Sequence, residues 1–326
     1  RDVAVTGVQT CALPISEAPP PDDGLAFSGS IRLRYEAIDG QARAGFNTSD
    51  ELVNLRTNIL AEYRKGVVRV GVELFDSRVW GDDAGTPVTT NEVNVLEPVQ
   101  AYVAANFDGA FGRGTKLTLT AGRMMLNLGS RRLVAADDYR NTTNGYTGLR
   151  ADIAAPQGWK ATLIYTLPPI RLPDDNEGIR DARVRLDRES FNLVLWGGQV
   201  SKARVIGPTM GELTYFHLGE RDAPGRPTRD RALDTFGGRV IAEPRSGAFD
   251  YEIEALYQTG HISASLAPTF AQTGAFPLAN GSRDAALLVT LRAGATVAAA
   301  SAHRRRNKAT KRSMSKGLPT CSLMPA

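Results

Sequence analysis

Between residues 28 and 297 about twelve short amphipathic segments follow one another, and the gaps between them alternate between short and long. The short gaps fall at Lys65-Gly66, Gly109 to Gly114, Pro156 to Gly158, roughly 202–209 and Pro244 to Gly247. The long ones fall at 39–51, 80–94, 130–144, 168–189, 220–232 and 261–283. A meander threaded through an outer membrane joins strands of about ten residues by tight turns on one side and longer loops on the other. A soluble β-sandwich has no reason to collect its long loops at one end. The rhythm therefore predicts an all-β fold, an antiparallel transmembrane β-barrel meander over 28–302.

The composition of the two strand faces points the same way. Ile31, Leu33, Tyr35 and Ala37 alternate with Arg32, Arg34 and Glu36; Val68, Val70, Val72 and Leu74 alternate with Arg69, Gly71 and Glu73. Farther on, Phe249, Tyr251, Ile253, Ala255 and Tyr257 alternate with Asp250, Glu252, Glu254 and Gln258. Period-two alternation marks strands with one apolar face. The other face carries large charges of both signs at strand centres, and against lipid each would cost about 2–4 kcal/mol. They are expected to face a lumen. Strand parity assigns to it the bases Arg32, Arg34, Arg56, Arg64, Arg69, Arg150, Lys160, Arg239 and Arg292, and the acids Glu36, Glu62, Glu73, Asp152, Glu212, Glu252 and Glu254. Arginine pairs carboxylates bidentately, so such a wall suits an anionic solute. The other reading of each residue is that Arg and Glu on neighbouring strands neutralise one another and stiffen the wall. Tyr63, Trp80, Phe107, Trp159, Tyr165, Phe191 and Tyr257 fall near strand ends, where aromatic girdles sit at headgroup depth.

Net charge is informative only by region. The chain carries +4 overall, but residues 303–326 hold seven bases and no acid, and residues 1–24 hold one base and four acids. The stretch 25–302 is left with 31 of each sign. The basic balance belongs to a tail, and no nucleic-acid partner is expected. No apolar run is long enough for a transmembrane helix, which says nothing about barrel strands. Cys11 and Cys321 both lie outside the patterned region and imply neither disulfide nor metal site. The stretch from Val5 to Ile15 reads as the conceptual translation of a sequencing adapter, so 1–16 are expected to be an artefact, with the native signal peptide lost; an ordinary β-strand is the alternative. Residues 17–27 read as a flexible N-terminus, and 303–326 as a frameshifted or disordered basic tail.

Three blocks carry a family resemblance: Arg32-Leu-Arg-Tyr-Glu36, the strand from Leu96 to Val103, and the run Gly122-Arg-Met-Met-Leu-Asn-Leu-Gly-Ser-Arg-Arg-Leu-Val134. With Tyr251-Glu-Ile-Glu254 and Gln258-Thr-Gly260, they resemble the alginate export family of proteobacterial outer-membrane proteins. The resemblance covers roughly 28–297, and its most specific part is the 122–134 block. It implies a monomeric porin of about eighteen strands, of which this chain supplies about twelve. Its implied cargo is an anionic polysaccharide or small anionic or sugar solutes, and its implied surroundings are outer-membrane lipid. It also brings in Arg123, Arg131 and Arg132, the last two at the mouth. Parity is least secure around Gly122 and Arg123, where a bulge would turn side chains over.

Catalysis finds little support. His217, His261 and His303 are isolated, no G-x-S-x-G elbow occurs, and Glu252 with Glu254 lacks a nucleophile beside it. Neither an enzyme nor a cofactor is expected. Asn47-Thr-Ser49, Asn141-Thr-Thr143 and Asn280-Gly-Ser282 are glycosylation-type triplets with no meaning in the implied bacterial setting. The proline- and charge-rich stretch 168–189 is expected to be a solvated external loop, or else a gate folded inward. Two competing functions remain: a non-transporting barrel whose loops bind a ligand, and a soluble β-sandwich binding module.

Overall fold

The computed structural model describes residues 5–14, 23–40, 45–137, 139–223, 226–245, 248–263 and 286–296. The reading of 303–326 as a tail, that of 17–22, and most of the 261–283 connection lie outside them. The described strands form one antiparallel sheet of thirteen, each hydrogen-bonded to the next in sequence order. They are β1 (Val5–Pro14), β2 (Gly24–Asp39), β3 (Ser49–Lys65), β4 (Val68–Trp80), β5 (Asn94–Asp108), β6 (Lys116–Met124) and β7 (Tyr146–Ala155). They continue with β8 (Trp159–Leu167), β9 (Leu193–Ile206), β10 (Thr209–Glu220), β11 (Ala232–Ala242), β12 (Ala248–His261) and β13 (Ala286–Thr296). A five-residue helix, α1 (Asn176–Arg180), interrupts the β8–β9 loop and is capped by the Asp175 carboxylate. Strands β2 to β13 match the predicted twelve, and β1 adds the adapter-like stretch as a strand paired with β2 from Val5↔Ile38 to Pro14↔Ser30. The result is an all-β meander, an incomplete barrel whose end strands among the described residues are β1 and β13.

The alternation of connections holds, with two shifts. The β9–β10 turn is only Gly207-Pro208, tighter than the expected 202–209. The β6–β7 connection starts at 125, because β6 ends at Met124 where the sequence reading had kept the strand going to 130. Gly122 lies two residues before that end. Its φ is +117°, and a Cβ there would meet the Ala101 carbonyl oxygen at 2.3 Å, so only glycine can make this kink against β5. A bulge also occurs, but in β5, where register slips between Glu73/Leu74 and Phe75/Ser77 and brings Glu97 and Gln100 to one face.

Faces separate as the parity predicted. Leu33, Val72, Val103, Leu119, Leu149, Leu163 and Leu213 are exposed on the outer face. All seven expected girdle aromatics are exposed, and the Lys202 ammonium sits 4.9 Å over the Trp159 ring beside a turn. Arginine substituted for Leu163, at the centre of outward β8, is expected to cost about 2–4 kcal/mol of folding in lipid. Titrating the folded fraction in vesicles checks this, with Ser201→Arg on the inner face as the tolerated control.

Candidate functional site

The inner face is not hollow. Residues 125–145, the β6–β7 connection, fold into the curve of the sheet and touch strands from β2 to β12. Leu126, Leu128 and Val134 pack with Met124, Tyr146, Ile164, Leu195 and Phe216 in a buried apolar cluster. Each such side chain contributes about 1.5–3 kcal/mol on burial. This holds the segment on β6 to β10, and one wall of the space is therefore apolar where the sequence had predicted a polar lumen.

The other side of the segment is fastened by hydrogen bonds. The buried Asn141 amide nitrogen lies within 3.2 Å of three carbonyls, Leu55 O, Arg78 O and Glu92 O. Ser77 Oγ donates to Asn141 O at 2.7 Å. Arg32 and Arg56, cross-strand partners on β2 and β3, both donate to the Arg140 carbonyl, and Arg34 donates to Tyr139 O at 3.0 Å. Thr142 bonds Thr90 O and Asn91 O. An irregular backbone inside a barrel needs such partners, because there is no strand beside it to supply them.

Two further loops lock onto its root. The Arg123 guanidinium, pointed inward by the kink at Gly122, pairs with Glu97 at 2.5 Å, Asp187 at 3.1 Å and Glu189 at 3.6 Å. Gly145 makes room for it, since a Cβ there would lie 2.8 Å from Arg123 Nε. Arg171 donates to Thr90 O, Asn91, Thr142 and Asn144, and so ties the β4–β5, β6–β7 and β8–β9 loops together. Burial lowers its pKa. Burial likewise pushes the Asp187 carboxyl above the usual range, against the lowering effects of the Leu172 N–H and Arg123. Glu92 is raised by burial too, although the Thr89 backbone and hydroxyl bond it. The base of 168–192 is thus folded inward, a correction to the solvated external loop; its charged tip, with Arg183 and Arg185, stays exposed.

The tip of 125–145 is different. Leu128 to Arg131 form a tight turn closed by Arg131 N to Leu128 O at 2.9 Å, with φ of +56° at Gly129 and +64° at Arg131. From it Ser130 Oγ and Arg132 Nε reach one carboxylate, Glu254, at 2.6 and 2.8 Å. Glu254 is the seventh residue of the fourteen in β12. Arg132 therefore stands at mid-depth, not at the mouth where the family resemblance had put it.

The family described as alginate export matches residues 23–316, most of the chain. The chain belongs to the alginate export family. It is also 22% identical over 271 residues to Lipase 5 of Diutina rugosa, covering 78% of this chain and 45% of that protein, so it spans less than half the length of that relative. No solved structure matches.

Within this alginate export chain most of the expected lumen residues are engaged with one another; the side chain of Arg292 lies outside the described ones. Glu36 pairs Arg34. Glu62 meets Arg64 at 2.6 Å, Arg69 at 3.7 Å and the Tyr102 hydroxyl at 2.6 Å. Glu73 accepts from Asn58 and Gln100, and Arg150 pairs Asp152 at 2.6 Å. Arg239 bridges Glu252 at 2.7 Å and Glu212 at 3.6 Å. Lys160, exposed beside its turn, has no described ion-pair partner. Among the described residues no cluster of metal ligands occurs, and His217 instead meets Asp234 at 2.8 Å. Sequence reasoning missed Glu97, Asn141, Arg171 and Asp187 as a unit. The Asn141-Thr-Thr143 run was the available signal: three side chains suited to bonding backbone, inside a long connection.

Two substitutions rank the root against the tip. Arg123→Gln leaves buried carboxylates without their cation and is expected to lose about 3–5 kcal/mol; Arg132→Gln, at a half-exposed pair, about 0–1 kcal/mol. Asn141→Ala is expected to cost on the order of 3 kcal/mol by stranding buried carbonyls. Denaturant unfolding in detergent micelles reads all three.

Proposed function

We propose that this protein is a monomeric outer-membrane porin that passes an anionic, alginate-like polysaccharide, or small anionic and sugar solutes, by passive diffusion. The observation that carries the reading is the inward segment: it narrows the space inside the sheet and presents Arg131 and Arg132, both exposed, beside the β10–β12 wall. The β2–β10 side is closed by the Asn141 bonds and the apolar cluster. The path runs past the tip along the inner face of β10 to β12, where Ser130 and Arg132 meet Glu254. Charge bias arises at the tip, since the wall arginines are largely neutralised by carboxylates on the same or the next strand. Passage needs no bond to be made or broken, and the reading includes no catalytic step or cofactor.

A second reading is kept alive by one feature. Arg171 and Asp187 sew three long loops together, as a ligand-binding surface on a non-transporting barrel would require. Planar-bilayer recording separates the two. With the porin, a salt gradient gives a steady current whose reversal potential lies on the anion side, and a soluble oligouronate blocks it. Absence of current with retained oligouronate binding supports the loop-binding reading; a cation-side reversal potential overturns the anion path.

A further inference from the structure

Two open apolar grooves adjoin on the outer face of β5 to β10, of about 590 and 610 Å3, and share Leu163 and Tyr165 of β8 as their common ridge. In the first, Ala151 stands between its cross-strand partners Leu119 and Leu163. In the second, Gly198 stands between Leu163 and Tyr215. Each floor is a residue with little or no side chain, flanked by two long ones. A Cβ on Gly198 would meet Leu163 Cδ2 at 2.9 Å, so a larger residue there would close the second groove.

The same outward row of β8 runs back from Leu163 through Ala161 to Trp159, where the strand begins beside the short Pro156–Gly158 turn. Lys202 is the cross-strand partner of Trp159, and its ammonium lies over the indole ring. The ring stabilises the charge but offers no hydrogen-bond acceptor, and no acid pairs with Lys202 among the described residues. Arg204, two residues on and exposed, adds a second positive charge without a described acid at this edge. From Lys202 to Trp196, at the far end of the second groove, the strand rises about 20 Å. A paired apolar groove that starts one pleat from a cation matches a molecule with two long apolar chains and one anionic group. An indole at this edge sits at headgroup depth, and a basic residue there attracts anionic lipid.

We propose that the outer face of β5 to β10 is a seat for one anionic diacyl phospholipid of the periplasmic leaflet, its acyl chains astride the Leu163–Tyr165 ridge and its phosphate on Lys202. The inference deepens the outer-membrane reading and rests on it, because short turns mark the periplasmic side only in an outer-membrane barrel. Ile164, on the other face of β8, belongs to the apolar cluster that holds the 125–145 segment, so the lipid backs that strand from outside.

The test uses the full chain folded in detergent and washed free of lipid, with bound lipid counted by native mass spectrometry. Dioleoyl phosphatidylglycerol is compared with dioleoyl phosphatidylcholine, single-chain lysophosphatidylglycerol and glycerol phosphate. One phosphatidylglycerol per chain is expected, held at least about tenfold more tightly than the lyso form, which fills one groove only. Lys202→Gln is expected to weaken phosphatidylglycerol about fivefold and to abolish its advantage over phosphatidylcholine. Ala151→Phe and Ala161→Phe, each filling one groove, weaken it about tenfold, whereas Ala255→Phe, outward on β12, leaves it unchanged. A parent that binds no phosphatidylglycerol overturns the seat. So does an affinity that Lys202→Gln leaves at the parent's value, or one that the lyso form equals. Glycerol phosphate bound as tightly as the lipid assigns a free phosphate site instead, and lipid-free pairs of chains assign the face to a second copy; either result overturns the proposal. Planar-bilayer conductance of the parent decides the porin reading separately: current without the seat leaves the porin standing, and the seat without current removes the pore alone.

Discussion

An irregular stretch of chain can lie inside a membrane-spanning sheet only if protein groups meet its amides and carbonyls, and residues 125–145 show how this is done without a ladder. Asn141 replaces a neighbouring strand at one point, reaching three carbonyls from β3, β4 and the β4–β5 loop. Arginines on β2 and β3 donate to the carbonyls of residues 139 and 140. The apolar cluster on the opposite side excludes water, which makes those bonds matter more. Position of the segment, shape of the remaining space and exposure of its tip all follow from this fastening.

The same arrangement redistributes the charges. Inward arginines that would have formed an open cationic wall are committed to carbonyls or to carboxylates one pleat away on the same strand, as with Arg34–Glu36 and Arg150–Asp152. Residues two apart on a strand share a face about 7 Å apart, within reach of an arginine fork. A wall built of such pairs is stiff and close to neutral. The burial of Arg123, Glu97 and Asp187 makes the root rigid, whereas the half-exposed Arg132 leaves the tip held by a contact that solvent screens.

Much of the fold was legible residue by residue. The step from Arg32 to Glu36 gave the faces of β2, and the same parity placed Glu73, Arg150, Arg239 and Glu254 inward, because the pleat has a period of two and lipid rejects charge. The site was less legible. Arg123 lies on the parity-breaking side of a glycine kink, so its direction depended on φ at Gly122, which pattern alone does not fix. The 122–134 block identified the family but read as strand and mouth, since its Leu126, Leu128 and Val134 alternate much as strand residues do. The 168–192 loop, rich in proline and charge, reads as solvated; Arg171, Leu172 and Asp187 are buried only because two other loops close over them.

What the sequence by itself determined is the meander: strand order, the alternation of short and long connections, and the two faces of strands such as β2, β4 and β12. These are local consequences of period-two patterning and turn chemistry. Only the tertiary structure decided that the β6–β7 connection enters the sheet and is fixed at its root and loose at its tip. Those contacts join residues as far apart as Ser130 and Glu254, and no local pattern encodes which distant carbonyl or carboxylate a side chain will meet once the sheet curves.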